Sequence, residues 1–322
     1  MTNALSRRQF LSTGAAAGAT ALLPGNGLAG AQVRAENPTR KFYTVLSLGR
    51  LGLQASFPES RRLASQHGFE GLDPDPHYFA SLSSGDLERL VAELRTKNLR
   101  LGAAGLPVDF RKDEALFSDG LKKLPGTADL LRRAGVTRVS TWVLCCSDEL
   151  TYLQNFRQHS CRLRQCAAIL ADCGQTLGLE YVAPRTLWRS QRHPFVHTLS
   201  EMKELIVAIG ANNVGVQLDS WHWFNAEERG SDLLTLRGSD VVTVDLNDAP
   251  LGLSLDRYQD DHRELPAATG VIPLAVFLRS LAAIGYDGPV QAEPFNATVR
   301  AMPLEQACVA TASAMKMALS MV

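Results

Sequence analysis

Glu180, Asp219, Asp245, Asp248 and Glu293 are the side chains of this 322-residue sequence best placed to do chemistry, because each interrupts or closes an apolar run. Glu180 lies in Leu179-Glu180-Tyr181-Val182, and Asp219 in Gln217-Leu218-Asp219-Ser220-Trp221-His222. Asp245 and Asp248 flank Leu246-Asn247, and Glu293 lies in Gln291-Ala292-Glu293-Pro294-Phe295. An unpaired carboxylate in apolar surroundings is costly, so any one of these acids could simply cap a loop or pair with an arginine. Glu180, Asp219, Asp245 and Glu293, recurring at similar places on successive segments, point instead to a shared divalent cation with oxygen ligands. Such a set suits manganese or magnesium, with zinc or cobalt as alternatives.

The elements that must position these acids can be read from periodicity. Short apolar runs at 43–48, 71–73, 99–103, 138–144, 179–182, 214–218, 241–246 and 290–292 are rich in Val and Leu without clean alternation. That is the pattern of strands buried on both faces of a parallel sheet. Amphipathic stretches at 59–67, 84–94, 114–134, 150–177, 199–209, 231–237 and 273–284 read as helices, and glycine follows most of them. Eight strands with crossovers predict an α/β fold, a single-domain (β/α)₈ TIM barrel. A doubly wound open sheet is the alternative, weakened by the lack of GxGxxG after the first strand. In a barrel the C-terminal strand ends converge on one mouth, where the acids would meet.

The N-terminus reads as an export signal. Ser6-Arg7-Arg8-Gln9-Phe10-Leu11, the apolar stretch 14–23 and Ala29-Gly30-Ala31 follow the order basic region, apolar region, small-residue cleavage site. The paired arginines suit the twin-arginine route. The expected organisation is a cleavable signal at 1–31, a short linker at 32–41 and the barrel at 42–322, in the periplasm or otherwise exported. The apolar stretch is too short to span a bilayer comfortably, so no stable membrane span is expected after cleavage. A formal net charge of zero, from 33 basic and 33 acidic residues, argues against a nucleic-acid partner. The six cysteines form no CxxC pair and are expected as buried free thiols.

Together these residues resemble the sugar isomerase/epimerase family of xylose isomerase-like barrels. That family places a Glu on strand five, Asp-x-x-His on strand six, His on strand seven and Glu on strand eight. Glu180, Asp219 with His222, position 245 and Glu293 stand at the matching places. Arg263-Glu264-Leu265-Pro266, Gly270-Val271-Ile272 and Ile284-Gly285-Tyr286-Asp287-Gly288-Pro289-Val290 are similar to its last loop, helix and strand entry, and Gly68-Phe69-Glu70-Gly71 to its second strand. The departure is Asp245 in place of histidine; aspartate can also ligate a divalent ion and makes the site more anionic. The resemblance implies that Glu180, Asp219, Asp245 and Glu293 hold the metal. It further implies that Glu180 and Glu293 flank the substrate and move a proton beside a carbonyl, while His222 and Arg263 contact substrate oxygens. Trp221 is a candidate for stacking on a sugar face, weighed against the commoner role of filling core.

The expected function is that of a divalent-metal-dependent isomerase or epimerase acting on a small sugar. An unphosphorylated keto sugar or oxidised glycoside fits best, because phosphorylated sugars are scarce outside the cytoplasm. A keto-glycoside lyase would need the same residues. The rival from another class is a periplasmic barrel that binds a sugar without catalysis. An abasic-site endonuclease shares the barrel, but neutral charge and few histidines at strand ends count against a trinuclear zinc site. A homo-oligomer is compatible with each reading.

Overall fold

The structure, a computed structural model, describes residues 39–322; the expected signal and most of the linker lie outside this range. Its strands are β1 (Tyr43–Leu46), β2 (Gly71–Leu72), β3 (Arg100–Leu101), β4 (Ala104–Gly105), β5 (Arg138–Trp142) and β6 (Cys146–Ser147). They continue with β7 (Thr176–Glu180), β8 (His193–Pro194), β9 (Val214–Asp219), β10 (Val241–Leu246) and β11 (Pro289–Ala292). Nine pair in the order β3-β2-β1-β11-β10-β9-β7-β5-β4. The two ends of that order, β3 and β4, are halves of one chain segment interrupted at Gly102 and Ala103, so the sheet closes into an eight-stranded parallel barrel. β6 and β8 form a separate antiparallel pair.

Helices follow the strands and lay their apolar faces on the barrel. Helix Leu199–Ile209 shows how local sequence sets this up. Thr198 accepts a hydrogen bond from the Glu201 N–H at its start, Leu199, Met202, Leu205 and Ile209 are its buried stripe, and Gly210 stops it at φ +68°. One boundary differs from expectation. The helix predicted over 150–177 runs Tyr152–Asp172 and ends at Gly174, with φ +67°, so β7 starts at Thr176. Gly178 therefore sits inside β7, where a Cβ would come 2.8 Å from Val242 Cβ; the close approach inside the barrel requires glycine there. Helix Leu304–Leu319, absent from the sequence reading, buries Ala307, Cys308, Thr311, Met315 and Ala318.

All six cysteines are free thiols, but only Cys145, Cys146, Cys166 and Cys308 are buried; Cys161 is exposed and Cys173 intermediate. Among the described residues no helix is long and apolar enough to cross a membrane.

A buried histidine in the helical layer gives a stability prediction. His159 packs edge-on to Phe110 and donates from Nδ1 to the Asn155 carbonyl at 3.0 Å, and burial pushes its pKa down to about 4. Between its ordinary value of 6.5 and about 4 the unfolded chain binds a proton that the native state refuses. Stability should therefore fall with pH across that window, by roughly 3 kcal/mol in total. Urea unfolding at pH 7 and pH 5 should show this acid-side loss in the wild type and a smaller one in a His159→Asn variant.

Candidate functional site

Parallel register brings the acids to one end of the barrel. Asp219 of β9 lies opposite Asp245 of β10, and Asp245 opposite Gln291 of β11, with Glu293 two residues further on the same strand's exit. Glu180 closes β7 opposite Trp142 of β5. All four carboxylates are buried.

β9 runs directly into helix Ser220–Asn225, with Asp219 as the cap: its Oδ1 accepts from the Trp221 N–H at 2.7 Å. The helical turn then returns His222, whose Nε2 lies 3.7 Å from Asp219 Oδ2. The Ala183 N–H donates to His222 Nδ1 at 3.2 Å, so in the neutral ring the proton sits on Nε2 and points into the site. Burial keeps this ring neutral by lowering its pKa, against the pull of Asp219 and Asp260.

Arg263 is the hub. Its Nη1 donates to Asp219 Oδ2 at 2.7 Å and Glu293 Oε2 at 2.9 Å, while Nη2 reaches Asp260 Oδ1 at 2.7 Å. The guanidinium lies between the rings of Trp221 and Phe295, 5.4 and 4.5 Å from their centroids. Phe295 has φ +39°, a left-handed conformation unusual for an aromatic residue and a local strain placed at the mouth.

Glu180 contrasts with its neighbours: Oε1 is buried and has no hydrogen-bond partner among the described residues. Burial first, and then the charges of Glu293, Asp219 and Asp245, hold its pKa well above the ordinary carboxyl value. Glu293 is pushed up to about 8 by burial and by Asp245, with Arg263 and Arg50 opposing. Ligating atoms of Glu180, Asp219 and His222 lie within 4.8 Å of one another, as do those of Glu180, Asp245 and Glu293. Glu180 is thus common to both groups.

A cavity of 390 Å³ opens onto Glu180, His222, Arg263 and Glu293, walled by Trp142 and Cys145 among others. That is a small-molecule size. A larger cleft of 770 Å³, lined by Arg40, Glu70 and Lys316, lies where the strands begin, away from the converging acids.

Six of the seven residues expected from sequence therefore meet at the mouth. Trp221 is the exception: it is fully buried behind Arg263, packed edge-on to Tyr258, and supports the arginine instead of lining the cavity. Trp142 is the exposed aromatic wall, 45% accessible, with Arg111 stacked 4.0 Å over its ring. Asp248 caps the loop before helix Leu274–Ala283, accepting from the backbone N–H groups of Thr269, Gly270 and Ile272 at 2.7–2.9 Å. Arg50, Gln217 and Gln291 also reach the acids, Asp260 reaches Arg263, and no sequence argument singled these four out. A basic residue just beyond the first strand, at Leu48-Gly49-Arg50, was the one available signal.

Comparisons with known proteins converge on this fold. The profile described as xylose isomerase-like TIM barrel matches residues 61–316, and a twin-arginine translocation signal matches residues 4–24, which indicates export by that pathway. A 3-dehydroshikimate dehydratase of Pseudomonas aeruginosa is 27% identical over 266 residues, covering 80% of this chain and 39% of its own length. The chain thus spans about two fifths of that relative. An inosose isomerase of Bacillus velezensis is 24% identical, with 75% and 84% covered. A xylose isomerase domain protein from Alicyclobacillus acidocaldarius superimposes with a TM-score of 0.74 at 31% identity, covering 87% of this chain and 99% of that one.

Proposed function

Because this chain belongs to the xylose isomerase-like TIM barrel family, we propose that it moves a proton beside the carbonyl of an unphosphorylated keto sugar or cyclic keto polyol, as an isomerase or epimerase. The observation that supports this most is Glu180 Oε1, a buried oxygen without a partner at a cavity of small-molecule size. Native structures seldom leave such a group unpaired without a role for it.

A C–H beside a carbonyl is weakly acidic, and its removal puts charge on oxygen. Glu180 takes that proton, and its raised pKa suits a base that must also give the proton back. The His222 Nε2–H is the donor placed for an oxygen where charge develops, and the Arg263 guanidinium lining the cavity supplies positive charge beside it. Glu293 is three strands round the barrel from β7, with a ligating oxygen within 4.8 Å of Glu180. From there it returns a proton to the same carbon, giving an epimer, or to the neighbouring one, giving an isomer.

A divalent metal fits this site, since Glu180 has an oxygen without a partner among the described residues and offers a ligating oxygen within 4.8 Å of Asp219 in one group and of Glu293 in another. Glu180, Asp219 and Glu293 would hold it, and an all-oxygen set favours manganese or magnesium. When bound, such an ion polarises a substrate carbonyl. His222 is not counted among the ligands, because its Nε2 carries the proton.

A second reading is elimination, favoured by the likeness to a dehydratase. Glu180 would again take the proton; the C–O bond on the next carbon breaks, a C=C bond forms, and Glu293 protonates the departing oxygen.

The reading is tested by incubating the mature protein, with and without chelator, with inosose, fructose, a 3-keto-glucoside and 3-dehydroshikimate, following products by NMR. Epimerised or isomerised keto polyol, lost on chelation, is the expected result. An unsaturated product alone supports elimination, and no product from any of the four leaves a barrel that only binds.

A further inference from the structure

The resemblance implies that Asp245 holds the metal, yet its carboxylate is already saturated. Oδ1 accepts from Arg50 Nε at 2.5 Å and Gln291 Nε2 at 2.7 Å; Oδ2 accepts from Gln217 Nε2 at 2.7 Å and Arg50 Nη2 at 3.3 Å. A carboxylate offers about four lone-pair directions, and all are engaged. Among the described residues Glu180 accepts nothing at Oε1, and the Glu293 carboxylate accepts one hydrogen bond, from Arg263. The glutamines come from the neighbouring strands, two residues below the mouth acids on the same faces: Gln217 under Asp219 and Gln291 under Glu293. Asp245 is thus held from both sides by fixed donors, and its remaining edge is a two-point grip on Arg50. Arg50 leaves β1 through a tight turn, and its Nε lies 3.4 Å from Glu293 Oε1.

We infer that Asp245 is not a metal ligand but the anchor of Arg50, and that Arg50 is a positioning residue for Glu293. Charge fits this pairing: Asp245 brings one negative charge to the acid cluster, and Arg50 one positive charge beside it. The ion pair occupies the side of the site that a strand-seven ligand would otherwise take. Glu293 is then fixed between two guanidinium groups, Arg263 on Oε2 and Arg50 near Oε1. The inference rests on the proton-transfer reading for what Glu293 does, but not for the pairing itself.

The test is Mn²⁺ titration calorimetry on the full mature protein, comparing wild type with Glu180→Gln, Asp245→Asn, Arg50→Gln and the Arg50→Gln/Asp245→Asn double variant. Glu180→Gln should weaken Mn²⁺ binding at least a hundredfold. Asp245→Asn should weaken it less, because the released guanidinium leaves a positive charge against the site. The double variant should return to within about threefold of wild type. If the double variant loses Mn²⁺ as fully as Glu180→Gln does, Asp245 is a ligand and the inference falls. Thermal unfolding of the same set decides the pairing even if the wild type takes up no Mn²⁺, a result that would remove only the metal from the proposed function. The double variant should melt no lower than Asp245→Asn alone, whereas additive losses would show that the two residues act independently.

Discussion

Replacing Glu180 with glutamine should lower turnover by about 10³-fold or more while leaving the melting temperature unchanged or higher. The two effects have one cause. Glu180 Oε1 is buried without a hydrogen-bond partner among the described residues and is surrounded by the charges of Glu293, Asp219 and Asp245, so its ionised form is a burden on the native state. Glutamine keeps the shape and removes that charge, and with it the base. The sign with pH follows. A carboxyl raised above its ordinary value of 4.5 in the fold keeps its proton where the unfolded chain has lost it, so it costs stability increasingly as pH rises past that value. In chelator-treated protein the variant should match wild type near pH 4 and gain on it at higher pH. A residue that merely supports the fold would give the opposite: activity and melting temperature falling together.

Arg263→Ala should be the most destabilising single change in the site. The arginine is buried and donates to Asp219 at 2.7 Å, Glu293 at 2.9 Å and Asp260 at 2.7 Å. Its removal strands three carboxylates near one another in a largely buried cluster, and breaking a buried pair in this way costs about 3–5 kcal/mol. For a chain of this size that is a fall of roughly 6–15 °C in melting temperature. Lysine restores the charge but not the fork that holds Asp219, Glu293 and Asp260 together, so Arg263→Lys should recover part of the stability and little of the activity. Calorimetric melting of both variants checks this. An alanine variant within about 2 °C of wild type would mean that the three acids do not depend on Arg263.

Much of this site was legible in the sequence because barrels turn strand position into spatial position. Glu180, Asp219, Asp245 and Glu293 were found from acids at the ends of apolar runs, and the parallel register brings them together. His222 followed from one helical turn after Asp219. What stayed hidden was pairing. Nothing in Leu48-Gly49-Arg50 says that its guanidinium crosses to β10, because that contact spans 195 residues and depends on barrel closure. Trp221 misled for a related reason: the helix that begins at Ser220 turns its ring inward behind Arg263. The misplaced end of helix Tyr152–Asp172 has a local cause. Both Gly174 and Gly178 look like stops, and only the approach of Val242 inside the barrel assigns Gly178 to a strand.

The central claim is that Glu180 exchanges a proton with carbon beside a carbonyl. Its most direct test is solvent exchange: NMR of inosose, fructose and a 3-keto-glucoside incubated in D₂O with wild type or Glu180→Gln protein. Wild type should place deuterium at the carbon next to the carbonyl of at least one of them, and the variant none above background. Exchange at equal rates with both proteins, or none of the three exchanged by wild type loaded with Mn²⁺, would contradict it.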